Sequence, residues 1–125
     1  MNEQTGGTVI VVDDEVKLAE AMKKYLQSKG FQAEMFVDSR KALAAIVAGS
    51  IQADVLVSNY AMPSMDGMEL ISEARAIRPG MKAILMSEYT KIVPDWRSSC
   101  DGYFGKPFHF PKLAEKIDKL LIRGR

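Results

Sequence analysis

The sequence predicts one α/β domain built on a parallel β-sheet with helices on both faces. Five short runs of apolar and β-branched residues alternate with segments whose apolar residues recur at helical spacing. Most of these runs are nearly continuous in apolar residues, as in strands that helices cover on both sides. A length of 125 residues suits one domain with a buried core.

Composition argues against several classes of function. The chain has 47% hydrophobic residues, 26% charged residues and a net charge of +1, so it offers no electrostatic case for binding nucleic acid or an anionic membrane. Its single cysteine, Cys100, excludes an intrachain disulfide and suits a reducing compartment. Residues 1–7 are predicted to be a flexible N-terminus, because they are polar and lack the apolar core of a signal peptide. We therefore expect a cytoplasmic protein.

The first strand and helix are predicted from a change of period near the N-terminus. The apolar run Thr8–Val12 stops at Asp13-Asp14-Glu15. From Val16 the apolar residues fall on one helical face, and Gly30 is placed just after the helix end.

The second and third units repeat this arrangement. A second strand is predicted over 31–36, and Asp38 or Ser39 caps the helix that follows. A third strand covers 55–58, and Asp66 is the expected N-cap of the third helix. Both helices are predicted to end at glycine-containing pairs: Gly49-Ser50 and Pro79-Gly80.

The C-terminal part is less regular. A fourth strand is predicted over 83–86, and 88–100 is expected to hold a short or distorted helix because Pro94 interrupts it. A brief fifth strand, 102–104, precedes a last helix with Pro111 at or near its first position.

Alternating strands and helices favour right-handed crossovers and a doubly wound sheet, including the flavodoxin-like order 2-1-3-4-5. The domain is predicted to cover 8–122, with a C-terminal tail at 123–125. In that order, strands one and three are neighbours and the loops after the strands share one sheet edge. The polar residues at that edge are Asp13, Asp14, Asn59, Ser87 and Lys106.

These side chains suggest phosphoryl binding beside a metal. Adjacent carboxylates suit a hard cation such as Mg²⁺, and a lysine beside a hydroxyl suits phosphoryl oxygens. Each residue also has a structural interpretation. The acidic pair can cap a helix, Asn59 can be a turn residue, Ser87 can end a strand, and Lys106 can be solvated. Their joint occurrence at successive strand ends favours a site.

Three blocks of sequence resemble the receiver domain of two-component response regulators. They are Val9-Ile10-Val11-Val12-Asp13-Asp14-Glu15, Met62-Pro63-Ser64-Met65-Asp66-Gly67-Met68-Glu69-Leu70-Ile71 and Lys106-Pro107-Phe108. The resemblance extends over about 8–121. It implies a five-stranded (βα)₅ sheet and Mg²⁺-dependent transfer of phosphate from a histidine of a partner kinase to an aspartate of the receiver. The expected partner is a sensor histidine kinase or a phosphotransfer protein.

The resemblance also implies a metal site. Asp14 would ligate Mg²⁺ directly, Asp13 through water, and the backbone carbonyl of Ala61 would be a further ligand. The phosphoacceptor aspartate should precede Met62 by three residues, and Asn59 occupies that position. A neutral carboxamide is a poor nucleophile, so no acyl phosphate is expected there. Asn59 would also belong to the metal site, where it brings one negative charge fewer than aspartate, so Mg²⁺ binding should weaken.

Further roles follow from the same resemblance. Ser87 would hydrogen-bond a phosphoryl oxygen, and Lys106 would pair with the phosphate and precede a cis bond to Pro107. Tyr103 matches the aromatic residue that moves inward with Ser87 when the family switches. Glu88 departs from the pattern, since a small residue usually follows the serine or threonine.

Three function classes remain at this stage. The first is a receiver with a blocked acceptor, in which Asn59 is either natural or an engineered substitution; the intact acidic pair slightly favours a recent or engineered change. The second is a phosphorylation-independent interaction module that contacts an output domain or partner through Trp96, Tyr103 and the last helix. The third, a metal-dependent phosphatase or a cofactor binder on the same fold, is disfavoured. The sequence has no glycine-rich phosphate loop, and its only histidine, His109, follows the fifth strand. We therefore do not expect an enzyme.

Overall fold

The computed structural model describes residues 7–88 and 95–123. Its elements, in chain order, are β1 (Thr8–Val12), α1 (Val16–Ser28), β2 (Gln32–Phe36), α2 (Ser39–Ala48), β3 (Val55–Asn59), α3 (Gly67–Ile77), β4 (Lys82–Glu88), α4 (Trp96–Ser99), β5 (Gly102–Lys106) and α5 (Phe110–Arg123). The sheet has the order β2-β1-β3-β4-β5 with parallel pairing throughout. The predicted flavodoxin-like α/β fold is confirmed.

Each face of the sheet covers its own apolar cluster, because neighbouring residues of a strand point to opposite sides. In β1, Ile10 packs toward α2 and α3, whereas Val9 and Val11 pack toward α1 and α5. Leu70 anchors α3 on the first side, and Ile117 anchors α5 on the second; both are fully buried. The helices therefore hold the sheet from both faces and leave the strand ends free.

Local signals placed several helix ends correctly. Asp38 caps α2 by accepting hydrogen bonds from the amides of Arg40 and Lys41. Asp66 and Glu69 form a reciprocal capping box at the start of α3. Ser39, the alternative cap considered for α2, instead donates a buried hydrogen bond to the carbonyl of Met65 at 2.8 Å. That bond ties the start of α2 to the loop between β3 and α3.

The limits of four strands differ from the predicted ones. β2 begins one residue later, at Gln32, and β3 continues to Asn59. β4 runs from Lys82 to Glu88, and β5 continues to Lys106. The extensions to Glu88 and Lys106 share a cause, because these two residues pair in register. Lys106 thus ends a strand instead of following one, and its bond to Pro107 is cis, as the resemblance implied.

Other predictions concern residues that lie partly or wholly outside the described structure. The four-residue α4 agrees with the expected short helix, but Pro94 lies outside the described residues. The predicted flexible N-terminus and C-terminal tail also lie almost wholly outside them.

Candidate functional site

A cavity of about 230 Å³ opens at the carboxyl edge of the sheet, where β1, β3, β4 and β5 end. Its lining residues are Asp13, Asp14, Glu15, Asn59, Ala61, Ser87, Glu88 and Lys106. The structure therefore brings together all five polar residues that the sequence placed at this edge. Glu15 also lines the cavity, although it was not among the predicted site residues. Its position directly after Asp13 and Asp14 was the sequence signal that could have indicated it.

Asp13 is the most enclosed acidic group of the site. Its side chain is fully buried, and its Oδ2 accepts a hydrogen bond from the Nζ of Lys106 at 2.7 Å. Its Oδ1 accepts the amide of Glu15 at 2.9 Å. The N-cap of α1 is Glu15, without a side-chain capping bond. Helix capping therefore does not account for Asp13, whose buried carboxylate lines the cavity.

Asn59 ends β3 and is 8% exposed. Its Nδ2 donates to the backbone carbonyl of Ala61 at 2.9 Å. The main chain behind it is fixed, because the amide of Tyr60 donates to the carbonyl of Met86 and the amide of Gly67 donates to the carbonyl of Tyr60. This places the carboxamide in the cavity beside Asp13, Asp14 and Ala61 in a defined orientation.

Ser87 and Tyr103 have different surroundings. Ser87 lies in β4, is almost fully buried, and its hydroxyl donates to the carbonyl of Glu88 at 3.3 Å. Tyr103 is half-buried in β5, does not line the cavity, and stacks on Trp96. The proposed switch residues therefore lie on adjacent strands, one at the cavity and one beside α4.

The oxygen atoms around the cavity fit a hard divalent cation in chemical type. The carboxylates of Asp13 and Asp14 and the carbonyl of Ala61 border it together. Within residues 7–88 and 95–123, no cluster of three or more histidine, cysteine or acidic side chains has metal-binding spacing.

Among the helices that the structure describes, none is long and apolar enough to cross a membrane.

Comparison with known families identifies the domain. The family model described as response regulator receiver domain matches residues 9–118. The chain belongs to the response regulator receiver family. The domain therefore belongs to two-component signalling and is a receiver domain rather than a classical enzyme.

Solved receivers share this fold. A CheY-like receiver domain protein from Methanospirillum hungatei is 27% identical, with a TM-score of 0.85 over 94% of this chain and 95% of that chain. The response regulator TrrA from Thermotoga maritima, in complex with Mg²⁺ and BeF, is 31% identical, with a TM-score of 0.80 over 91% of this chain and 98% of that chain.

Curated relatives are longer than this receiver domain. The transcriptional regulatory protein RprY of Bacteroides fragilis is 28% identical over 120 residues, covering 94% of this chain and 50% of the relative. The sensor kinase CckA of Brucella abortus is 31% identical over 117 residues, covering 91% of this chain and 12% of the relative. The receiver thus spans half or less of these two proteins.

Proposed function

We propose that this chain is a receiver domain in which Asn59 occupies the phosphoacceptor position and blocks phosphorylation there. The observation that carries the proposal is the placement of the Asn59 carboxamide in the cavity with Asp13, Asp14, Ser87 and Lys106. The acidic pair and the Ala61 carbonyl would hold Mg²⁺, which would supply charge neutralisation for a phosphoryl group. Ser87 and Lys106 would contact the oxygens of that group.

The chemistry of the carboxamide supports the block. Acyl-phosphate formation needs a carboxylate oxygen that attacks phosphorus and forms a P–O bond while the bond from phosphorus to the donor breaks, releasing the imidazole of a phosphohistidine or the acetate of acetyl phosphate. The amide of Asn59 is neutral, and its nitrogen already donates to Ala61. The residues that would assist the transfer are present, but the attacking atom is absent.

Incubation with acetyl phosphate and Mg²⁺, followed by intact-mass measurement, tests this proposal. We expect no phosphoryl adduct on the unchanged chain and a hydroxylamine-sensitive adduct on Asn59→Asp. A hydroxylamine-sensitive adduct at residue 59 of the unchanged chain would overturn the proposal. Absence of an adduct on Asn59→Asp would mean that Ser87, Lys106 and the acidic pair no longer support transfer.

Relatives suggest the partner class. One curated relative is a sensor kinase, and the family belongs to two-component systems. We extend the proposal to binding a sensor histidine kinase or a phosphotransfer protein near the cavity. Pull-down with a kinase that carries a labelled phosphohistidine would separate binding from transfer, because the blocked receiver should bind without becoming labelled.

A second candidate is a constitutive interaction module, and the aromatic surface of α4 and β5 favours it. Trp96 stacks on Tyr103, and the guanidinium of Arg97 lies 4.7 Å from the indole centroid. Such a module would bind an output domain or partner with the same affinity in the presence and absence of Mg²⁺ and beryllofluoride. A clear change in affinity with either ligand would count against this candidate.

A further inference from the structure

We propose that the free edge of β2 is a docking surface for an extended partner segment that carries lysine or arginine opposite Glu34, and that this edge disfavours a second copy of the chain. β2 lies at one end of the sheet and, among the described strands, pairs only with β1. The groove along the edge shares no lining residue with the acidic cavity, so the inference does not depend on the proposed function.

Two hydrogen bonds fix which main-chain groups of β2 face the rest of the sheet. The amide of Gln32 donates to the carbonyl of Gly7 at 2.9 Å. The carbonyl of Phe36 accepts from the amide of Asp13 at 3.1 Å. Because successive residues of a strand direct these groups to opposite sides, every second residue from Gln32 to Phe36 faces β1. The residues between them direct their main-chain groups away from the sheet.

The outward groups belong to Ala33 and Met35. Gln27 of α1 reaches this edge, where its side-chain amide donates to the carbonyl of Ala33 at 3.3 Å. That distance is longer than in most hydrogen bonds of this type, so a better-placed main-chain donor can replace Gln27. Main-chain bonds to Ala33 and Met35 would add a strand to the sheet, which is a common way of binding an extended peptide.

An open groove of about 490 Å³ follows the edge and leaves room for such a strand. Phe31 and Ala33, both buried, form its apolar part, and Gln27, Gln32 and Glu34 complete the lining. Gln32 and Glu34 are exposed. Of the five lining residues Glu34 alone is charged, so the groove presents one negative charge in the middle of β2.

Glu34 selects what can pair here. If two copies joined edge to edge about a two-fold axis, Ala33 of each would bond Met35 of the other. The two Glu34 side chains would then face each other at the axis, and like charges directly opposite destabilise a strand pair. Because the net charge of the chain is only +1, whole-molecule repulsion is small and this local pair decides. A cationic residue opposite Glu34 would instead stabilise the pairing.

The Glu34→Lys variant of this chain is the probe, because it presents the same edge with the charge reversed. Sedimentation equilibrium at up to about 1 mM protein compares the unchanged chain, the variant and their equimolar mixture. The mixture should form a heterodimer whose dissociation constant is at least about tenfold below that of either component with itself. Both components carry net positive charge, so bulk attraction would not produce this result.

Amide hydrogen exchange locates the contact. In the mixture, the amides of Ala33 and Met35 should become protected, because they would donate to the added strand. The matched control is Glu73→Lys, which reverses an exposed glutamate of α3, a helix that packs beside β3 and β4. Its mixture with the unchanged chain should associate no more strongly than the unchanged chain alone.

A mixture of Glu34→Lys with the unchanged chain that associates no more strongly than either component would overturn the inference. Association without protection of Ala33 and Met35 would also overturn it, as would edge-to-edge dimers of the unchanged chain. If Glu34→Lys fails to fold, the neutral variant Glu34→Thr replaces it. That variant should self-associate with the same amide protection, and self-association no stronger than that of the unchanged chain counts against the inference.

Discussion

The indole of Trp96 stacks on the phenol ring of Tyr103, with ring centroids 5.4 Å apart and ring planes 22° apart. The contact joins α4 to β5, two elements that are adjacent in the chain. α4 contains no fully buried residue, whereas β5 is half-buried or buried along its whole length. Both rings also pack against the apolar cluster on the α3 side of the sheet. The stack therefore fixes α4 to the domain.

Tyr103→Ala should release Trp96 into water. Because Trp96 is the only tryptophan, its emission reports this contact directly, and we expect a shift to longer wavelength with a loss of roughly 1 kcal/mol or more in the free energy of unfolding. Tyr25→Ala is the matched control, since Tyr25 contacts Phe110 on the opposite side of the sheet. It should lower stability and leave the emission maximum in place; an unshifted emission in Tyr103→Ala would contradict the prediction.

Gly67→Ala should strain the site through the backbone. A Cβ at Gly67 would collide with the main-chain carbonyl oxygen of Asn59 and lie 2.9 Å from its carbon. We expect a cost of about 1–3 kcal/mol in urea unfolding, with shifted amide resonances at Asn59 and Ala61. Gly80→Ala meets no atom within 4 Å and should stay within about 0.5 kcal/mol. Equal stability of the two variants would show that α3 can move away from β3.

Arg75→Met should loosen the connection between α3 and the segment before β5. The guanidinium donates to the carbonyl of Met81 at 3.0 Å, to the carbonyl of Ser99 at 2.8 Å, and to the carboxylate of Asp101. Losing these bonds should cost roughly 1–3 kcal/mol, measured by urea unfolding. Arg40→Met is the control.

That control removes a guanidinium with one exposed side-chain contact, a hydrogen bond to Ser64 at 3.1 Å. Its effect should stay below about 1 kcal/mol. A smaller loss for Arg75→Met than for Arg40→Met would show that the carbonyls of Met81 and Ser99 find water instead.

Alkaline pH should destabilise the domain through Cys100. Burial raises the pKa of the Cys100 thiol from 9.0 to about 11; the nearby charge of Arg75 lowers it and that of Asp101 raises it. Between these pH values the unfolded chain loses the thiol proton while the folded chain keeps it, so the free energy of unfolding falls as pH rises. We expect this contribution to reach about 1 kcal/mol by pH 10.

Urea unfolding at pH 8 and pH 10 measures this effect against Cys100→Ala. The variant lacks the thiol, so its stability should fall less over that interval than that of the unchanged chain. Identical falls would mean that the thiolate forms as readily in the folded state as in the unfolded chain.

Sequence patterns predicted the architecture because strand periodicity and helix caps are local. The Asp66 cap and the run Thr8–Val12 were readable from residues next to each other, and both are confirmed. The ends of β4 and β5 were not, because Glu88 and Lys106 are polar and join the sheet by pairing with each other. Strand limits set by a distant partner leave no local pattern.

The candidate site likewise has features that the sequence predicted and features that depend on distant contacts. The edge at which Asp13, Asn59, Ser87 and Lys106 meet follows from strand order, and the structure brings these residues to one cavity. The contacts among these residues could not be predicted from the sequence. The resemblance paired Lys106 with a phosphate, whereas in the structure its ammonium group donates a hydrogen bond to Asp13. The hydrogen bond from Asn59 to Ala61 likewise depends on how the loop turns after β3.

The ion pair between Asp13 and Lys106 joins positions 93 residues apart. Asp13 directly follows β1 and Lys106 ends β5, two strands that do not pair with each other in the sheet. During synthesis, the carboxylate leaves the ribosome long before the ammonium that neutralises it. A chain interrupted before β5 would carry a charge at the end of β1 that burial penalises. The pair thus makes full burial of the first strand's end conditional on arrival of the last strand, which disfavours compact but incomplete chains.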